Sequence, residues 1–476
     1  MAEFDLVVRG AEVATAVDVF HADIGVRDGR IAALAQGLGA GAREIDARGL
    51  IVLPGGVDAH CHLDQPTGDD TVMADDFFTG TRSAACGGTT TVIPFAAQVK
   101  GQSLRAAVED YHRRATGMAV VDYGFHLIVT DPTPSVLGQE LPALIRDGYT
   151  SFKIYMTYDS LKLSDRQILD VLALARAEQA LVMIHAENAD CIGWLTERLE
   201  RAGDVAPKFH AAARLAVVER EATHRAIALA ELVDTDILIV HVSGAEAIEQ
   251  IRWARSRGLR IYAETCPQYL FLTAADLDRP GFEGAKCVCS PPPRDRASQK
   301  AVWDGLRDGL FQVFSSDHAP FRYADSRGKS VAGARSRFSC IPNGIPGLET
   351  RLPLLFSAGV GQGRIDLCEF VALTATNPAK MYGLYPRKGS IAIGADADLA
   401  IWDAGREVTI SNALLHHDVD YTLYEGMRVV GWPVATVARG DLVWSEGRFA
   451  AEQGRGQFLR RGPPNGLRNT AREPAQ

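Results

Sequence analysis

A chain of 476 residues with 47% hydrophobic content can bury a large core and suits one large domain with a smaller companion. Its net charge of −9, without a long basic run or an interleaved basic and aromatic patch, argues against a nucleic-acid partner. No stretch reaches the roughly 18 consecutive apolar residues of a membrane span, and no basic region precedes an apolar run at the start, so a soluble, cytoplasmic protein is expected.

In chain order, residues 4–53 read as short strands with turn signals, Asp28-Gly29 marking a hairpin. From Asp58 onward, apolar runs alternate with helical patterns. The runs predict strands at Ile51–His60, Thr89–Phe95, Tyr123–Thr130, Ser151–Met156, Leu181–Ala186, Ile237–Val242, Arg260–Glu264 and Gln312–Asp317. Helices are expected at Leu104–Thr116, Ser164–Gln179 with Ser164 as N-cap, and Gly244–Arg257. Eight such repeats predict a (β/α)8 TIM barrel, whose chemistry sits at the C-terminal ends of the strands. Residues 388–446 return to a hairpin pattern and are expected to pack with residues 1–56 as one β-sandwich, leaving residues 57–387 as the barrel. Residues 447–476, rich in Gly, Arg, Pro and Gln, read as a tail, disordered or draped on a neighbouring subunit. The segment GVGQGR at 359–364 lacks a preceding strand and reads as a connector rather than a phosphate loop.

The stretch VLPGGVDAHCHLD puts His60 and His62 two residues apart at a strand end, where i and i+2 share a face and both imidazoles reach one ion. Four later runs end similarly: Lys153 in SFKIYMTY, His185 in MIHAEN, His241 in IVHVSG and Asp317 in SSDHAPF. Each alone has an ordinary structural reading. Together at one barrel mouth they predict a metal centre. His126 and His318 do not fit the inward pattern and are assigned structural roles. The eight cysteines are scattered, as suits reduced thiols, and Cys287 and Cys289 read as buried apolar residues sharing a strand face.

These segments, with CGGTTTVIPF, ETCPQYL, SPPPR, the IPNGIPGLE loop and TNPAKMYGLYPRKGSIAIGADADLAIWD, resemble the dihydropyrimidinase and D-hydantoinase family of cyclic amidohydrolases over about residues 4–445. The resemblance implies two zinc ions per subunit bridged by an N6-carboxylated Lys153 and a hydroxide. His60, His62, Lys153 and Asp317 would hold the more buried ion, and Lys153, His185 and His241 the more exposed one. Elementary electrostatics favours the lysine modification. Four neutral imidazoles and one aspartate leave two divalent ions almost uncompensated, and an ammonium would be repelled; a carbamate brings the site, with the hydroxide, to about +1. The resemblance further implies that Tyr158 donates to the tetrahedral oxyanion, that Asp317 carries a proton to the leaving ring nitrogen, and that main-chain groups at Ser290 and Asn343 hold the amide edge. Tyr158 as loop packing, and Ser290 and Asn343 as plain turn residues, remain open alternatives.

Three departures bear on substrate. Asp64 stands where dihydroorotase-like relatives carry an arginine, Cys61 replaces the usual threonine inside His-x-His, and Ala319 a frequent cysteine. The loop Gln65–Asp76 is acidic, so neutral or cationic substituents are expected over anionic ones. The expected function is zinc-dependent ring opening of a cyclic ureide, a 5,6-dihydropyrimidine or a hydantoin, to an N-carbamoyl amino acid by a homotetramer or homodimer. The alternatives are another cyclic amidase, acting on allantoin or a cyclic imide, a non-catalytic scaffold homologue, and a mononuclear deaminase.

Overall fold

The structure is a computed structural model and describes residues 2–68 and 70–465. Nine strands from the two ends of the chain form one mixed sheet, with the C-terminal Leu399–Thr409 antiparallel to the N-terminal Ile51–Pro54. The sheet branches at Phe4–Ala14, which pairs with Gly41–Asp46 along its first half and with Ile51–Pro54 along its second. The hairpin signal holds: Asp28 and Gly29 both have positive φ, as the two-residue turn between Val19–Arg27 and Arg30–Ala35 requires. Leu6, Val8, Ile24, Val52, Leu399 and Val437 share the apolar core of this unit.

The second sheet is parallel and runs Gly56–Cys61, Thr89–Ala97, His126–Ile128, Ser151–Tyr155, Leu181–His185, Ile237–Ile239, Ile261–Thr265, Val313–Phe314. Helices separate the strands, among them Leu104–Ala115, Asp165–Ala177 and Ala245–Ser256. Ser164 caps the second of these in a capping box with Gln167. No ladder joins the eighth strand to the first. Closure comes instead from Asp317 N–H to His60 O at 2.9 Å, His62 N–H to His318 O at 2.6 Å, and the buried Arg351, which donates to Phe314 O and lies 3.4 Å from Asp58. Val57, Phe95, Ile128, Met183 and Leu238 fill the interior together with Met381, Tyr382 and Leu459.

Four expectations change in detail, the first being that the predicted strand Tyr123–Thr130 is two short ones, Asp122–Tyr123 and His126–Ile128. The run Ile51–His60 is two strands, Ile51–Pro54 in the mixed sheet and Gly56–Cys61 in the barrel, because the chain turns at Gly55, where a Cβ would stand 2.2 Å from the Thr90 hydroxyl. Cys287 ends a short helical turn, Glu283–Cys287, and Cys289 lies in the following loop, so they share no strand face; both are buried free thiols. The tail is not free up to residue 465. Tyr123 N–H bonds Gln457 O, Leu459 N–H bonds Tyr123 O, and buried Arg461 donates to Ser151 Oγ at 2.7 Å. The remainder of the predicted tail, 466–476, lies outside the described residues.

Candidate metal centre

The strand ends deliver their side chains to one cavity of about 360 Å³, lined by His62, Lys153, His185, His241 and Asp317 and also by Tyr158, Ser290 and Asn343. His60 stands fully buried behind it. Its Nε2 is 3.2 Å from Asp317 Oδ1, His62 Nε2 is 3.5 Å from the same oxygen, and Lys153 Nζ is 2.6 Å from His60 Nε2. The rings of His185 and His241 pack edge to face at 4.5 Å, and His60 lies 5.5 Å from His241. Tyr158, His241 and Asp317 have left-handed backbones, φ 65°, 39° and 47°. Such a conformation costs a non-glycine residue on the order of 1–3 kcal/mol and persists only where the surroundings hold it. Here Asp317 N–H is held by His60 O and His241 N–H by Glu264 Oε1.

Burial controls the protonation states. It drives the His60 imidazole well below its usual range, helped by Lys153, and does the same for His241, helped by His185. Burial pushes the Asp317 carboxyl up, but His60, His62, His241 and Lys153 together hold it below the usual carboxylate range. Lys153 is brought down to about 8 by burial, against Asp317 and Glu264. No carboxylate lies within ion-pair distance of Lys153 among the described residues; Nζ faces the rings of Phe95 at 4.6 Å and Tyr155 at 5.0 Å.

Three residues given no role by the sequence reading orient the donors. Glu264, on the seventh strand, takes His60 Nδ1 at 2.6 Å, leaving Nε2 toward Asp317. Gln65 Oε1 accepts from His62 Nδ1 at 2.6 Å. Glu187 Oε2 takes His185 Nε2 at 2.8 Å and is itself held by Arg214 at 2.9 Å. Partners of this kind fix the tautomer and ring orientation of metal-binding histidines. Glu187 and Glu264 lie inside the quoted segments HAEN and ETCPQYL, so an acidic residue at a barrel strand end was the available signal. His126 bonds Ser151 and Ala59 O through its two ring nitrogens, and His318 bonds Asp75 and the Gly347 amide, so neither faces the cavity.

The donor set fits a zinc-class cation. His60, His62 and Asp317 form a group with ligand atoms within 4.8 Å of one another, and the buried His241 Nδ1 has no partner among the described residues. An ammonium at Lys153 opposes that fit.

The rest of the cavity wall includes Gln65, Thr67, Thr71, Met73, Leu161, Phe321 and Ile341. The expectation that the acidic loop repels anionic substituents therefore loses its basis. Asp64 pairs with Arg114 at 2.9 Å, Asp75 with His318 at 3.1 Å, and Asp76 caps the helix Phe77–Cys86. Asp70 is exposed away from the lining, and Asp69 lies outside the described residues. On the far walls, Asn343 Oδ1 is buried without a partner among the described residues, and the Tyr158 ring lies 5.5 Å from that of His185 with the Arg214 guanidinium over it at 5.4 Å. Lys329 ties the loops of Ser290 and Asn343 together, its buried Nζ donating to Val288 O at 2.8 Å and Pro342 O at 2.6 Å.

Comparison with known proteins agrees with this architecture. Residues 51–443 match the amidohydrolase family. A D-hydantoinase from Geobacillus stearothermophilus is 45% identical over 95% of this chain and 96% of its own length. The D-hydantoinase structure from Bacillus sp. AR9 superposes with a TM-score of 0.94 at 44% identity, covering 96% of this chain and 99% of that one. The dihydropyrimidinase structure from Brevibacillus agri does so at 0.93 and 42%, covering 96% and 98%. A chain with this barrel, this cavity and these relatives belongs to the amidohydrolase family, as a cyclic amidohydrolase of the D-hydantoinase and dihydropyrimidinase type.

Proposed function

We propose that the protein opens the ring of a cyclic ureide, a hydantoin or 5,6-dihydropyrimidine, by hydrolysis to an N-carbamoyl amino acid. The observation that supports this most is the convergence of His62, His185, His241, Asp317 and Lys153 on a single cavity, with His60 just behind its wall and, on the far side, Asn343 Oδ1 without a partner among the described residues. His60, His62, Lys153 and Asp317 would hold one zinc ion, and Lys153, His185 and His241 a second, with Lys153 carboxylated on Nζ to bridge them. Bound there, the ions supply Lewis acidity toward an amide carbonyl and water of lowered pKa.

The chain's own groups perform the remaining work. Asp317, kept ionised by the surrounding imidazoles, accepts a proton from the attacking water and returns it to the ring nitrogen as the C–N bond breaks. Tyr158 remains protonated, its phenol pushed up to about 12 chiefly by burial, so it donates to the developing oxyanion. Asn343 and the Ser290 loop meet the amide edge of the ring. Glu264, Gln65 and Glu187 hold the imidazoles in register.

A panel of cyclic ureides followed by loss of ring absorbance tests the reading, and turnover of none of them refutes it. Asp317→Asn sharpens the test, because the amide keeps an oxygen ligand and loses the proton carrier. The expected outcome is retained metal with activity lower by about 10²-fold or more. Near-normal turnover in that variant removes Asp317 from proton transfer.

A further inference from the structure

We propose a second cation site, remote from the catalytic cavity: Cys86, Glu349 and His416 together bind one thiophilic divalent cation of the zinc class. Each residue contributes one ligand atom, and the three atoms lie within 4.8 Å of one another. An ion with bonds of about 2.0–2.3 Å to sulfur, nitrogen and oxygen spans such a group, with water as a fourth ligand. The thiolate selects zinc or cadmium over magnesium or calcium.

The geometry is prepared on two sides. Glu349 Oε1 is 2.8 Å from His416 Nδ1, while Oε2 accepts from the His416 amide at 2.8 Å and from Ser83 Oγ at 3.3 Å, so carboxylate and ring are fixed. The Cys86 thiol is fully buried and has no hydrogen-bond partner among the described residues. Its helix ends against Glu349 because Gly87 permits it; a Cβ there would stand 2.4 Å from Glu349 O. His416 is only partly buried and provides the way in. Arg82 lies alongside, its guanidinium donating to the main-chain His416 O at 2.6 Å and not to the ring. Binding releases the thiol proton to solvent, moves the ring proton of neutral His416 from Nδ1 to Nε2, and places a thiolate and a carboxylate on the divalent charge.

The three ligands come from three separate segments. Cys86 ends the helix Phe77–Cys86, Glu349 follows the last barrel strand, and His416 lies between Leu399–Thr409 and Arg428–Ala438. An ion here therefore cross-links the barrel to the C-terminal part of the mixed sheet, and it stabilises the fold by binding the native state.

Cadmium is the probe, added to the full-length protein and followed by metal analysis, sulfur-to-cadmium charge-transfer absorption and thermal midpoint. Cys289 also offers a thiol, on the catalytic cavity, so Cys289→Ala is the control. The wild type is expected to show the absorption, a raised midpoint and one more cadmium per chain than Cys86→Ala. Cys289→Ala is expected to keep the absorption. His416→Asn, which retains the thiol, is expected to bind the extra cadmium about 100-fold or more weakly, beyond the 10–100-fold typical of losing a group that merely orients a ligand. Undiminished absorption in Cys86→Ala, unchanged affinity in His416→Asn, or no absorption in the wild type at saturating cadmium overturns the site. If Cys86→Ala fails to fold, the His416→Asn comparison decides.

Discussion

Burial strips Lys153 of water, and the cavity offers it no carboxylate partner, so as an ammonium it would oppose the donors around it. Carboxylation reverses the sign of its charge and supplies two oxygens. Lys153→Ala is accordingly expected to lose metal and to fall in activity by more than about 100-fold, the upper range for loss of a group that only orients a ligand. Acetate or propionate, added with zinc, is expected to restore part of the activity by occupying the vacated volume as an anion, while neutral amides of the same size are not. Lys153→Arg is expected to fail more completely, because a permanent cation cannot be carboxylated. Full activity in Lys153→Arg with two ions bound would end the carbamate account.

At the scale of single elements, a loop's charge acts only where its side chains point. The loop Gln65–Asp76 presents Gln65, Thr67, Thr71 and Met73 to the cavity, while Asp70 is exposed away from it, Asp75 pairs with His318 and Asp76 caps a helix. Asp64→Asn is thus expected to leave the ratio of kcat/KM for dihydroorotate over dihydrouracil unchanged. The stability loss should be about 0–1 kcal/mol, as for other half-exposed pairs. A shift of that ratio toward the anionic substrate would return Asp64 to the cavity. The loops carrying Ser290 and Asn343 hang on Lys329, which burial brings down from 10.5 to about 7. Because the folded pKa is the lower one, the unfolded chain binds more protons between pH 7 and 10.5, so stability from this group rises through that window. Urea midpoints at pH 6.5 and 9.5 check it: Lys329→Met should lose this rise, on the order of a few kcal/mol, relative to wild type. An identical pH response in the two proteins would contradict it.

The whole molecule is joined by buried ion pairs where the barrel meets the mixed sheet. Lys388 lies 2.7 Å from Asp122 and Asp398 and 3.0 Å from Asp396, and Arg439 adds 3.1 Å to Asp122. Burial pushes the Asp122 carboxyl up, yet Lys388 and Arg439 outweigh it and hold it below the usual range. A depressed carboxylate contributes stability above its unfolded pKa and loses it as pH falls through the folded one, so this junction is expected to weaken in acid. Lys388→Met leaves Asp398 buried without its cation and Asp122 and Asp396 with one arginine each, Arg439 and Arg387, and is expected to cost about 3–5 kcal/mol in a chemical denaturation measurement at neutral pH. A loss below about 1 kcal/mol, the scale of a surface pair, would show that water enters the junction.

Local pattern sufficed for the order of most elements and for the convergence of the candidate donors on one cavity. His60, Lys153 and His185 sit on strands and His62, His241 and Asp317 one to three residues beyond strand ends, and parallel strands in a barrel send their C-terminal ends to one mouth. The hairpin at Asp28-Gly29 and the cap at Ser164 were legible for the same reason, since turn and cap chemistry lies within four residues. Only the tertiary structure supplied the rest, because those contacts join residues far apart in the chain. Glu264 meets His60 across 204 positions, Arg114 cancels Asp64 across 50, and the tail closes its own barrel through Arg461 and Ser151 across 310. The break at Gly55 was hidden for a related reason: Ile51–Pro54 runs into Gly56–Cys61 without a polar turn residue between them, and the close approach of Thr90, from another strand, makes the intervening glycine a corner.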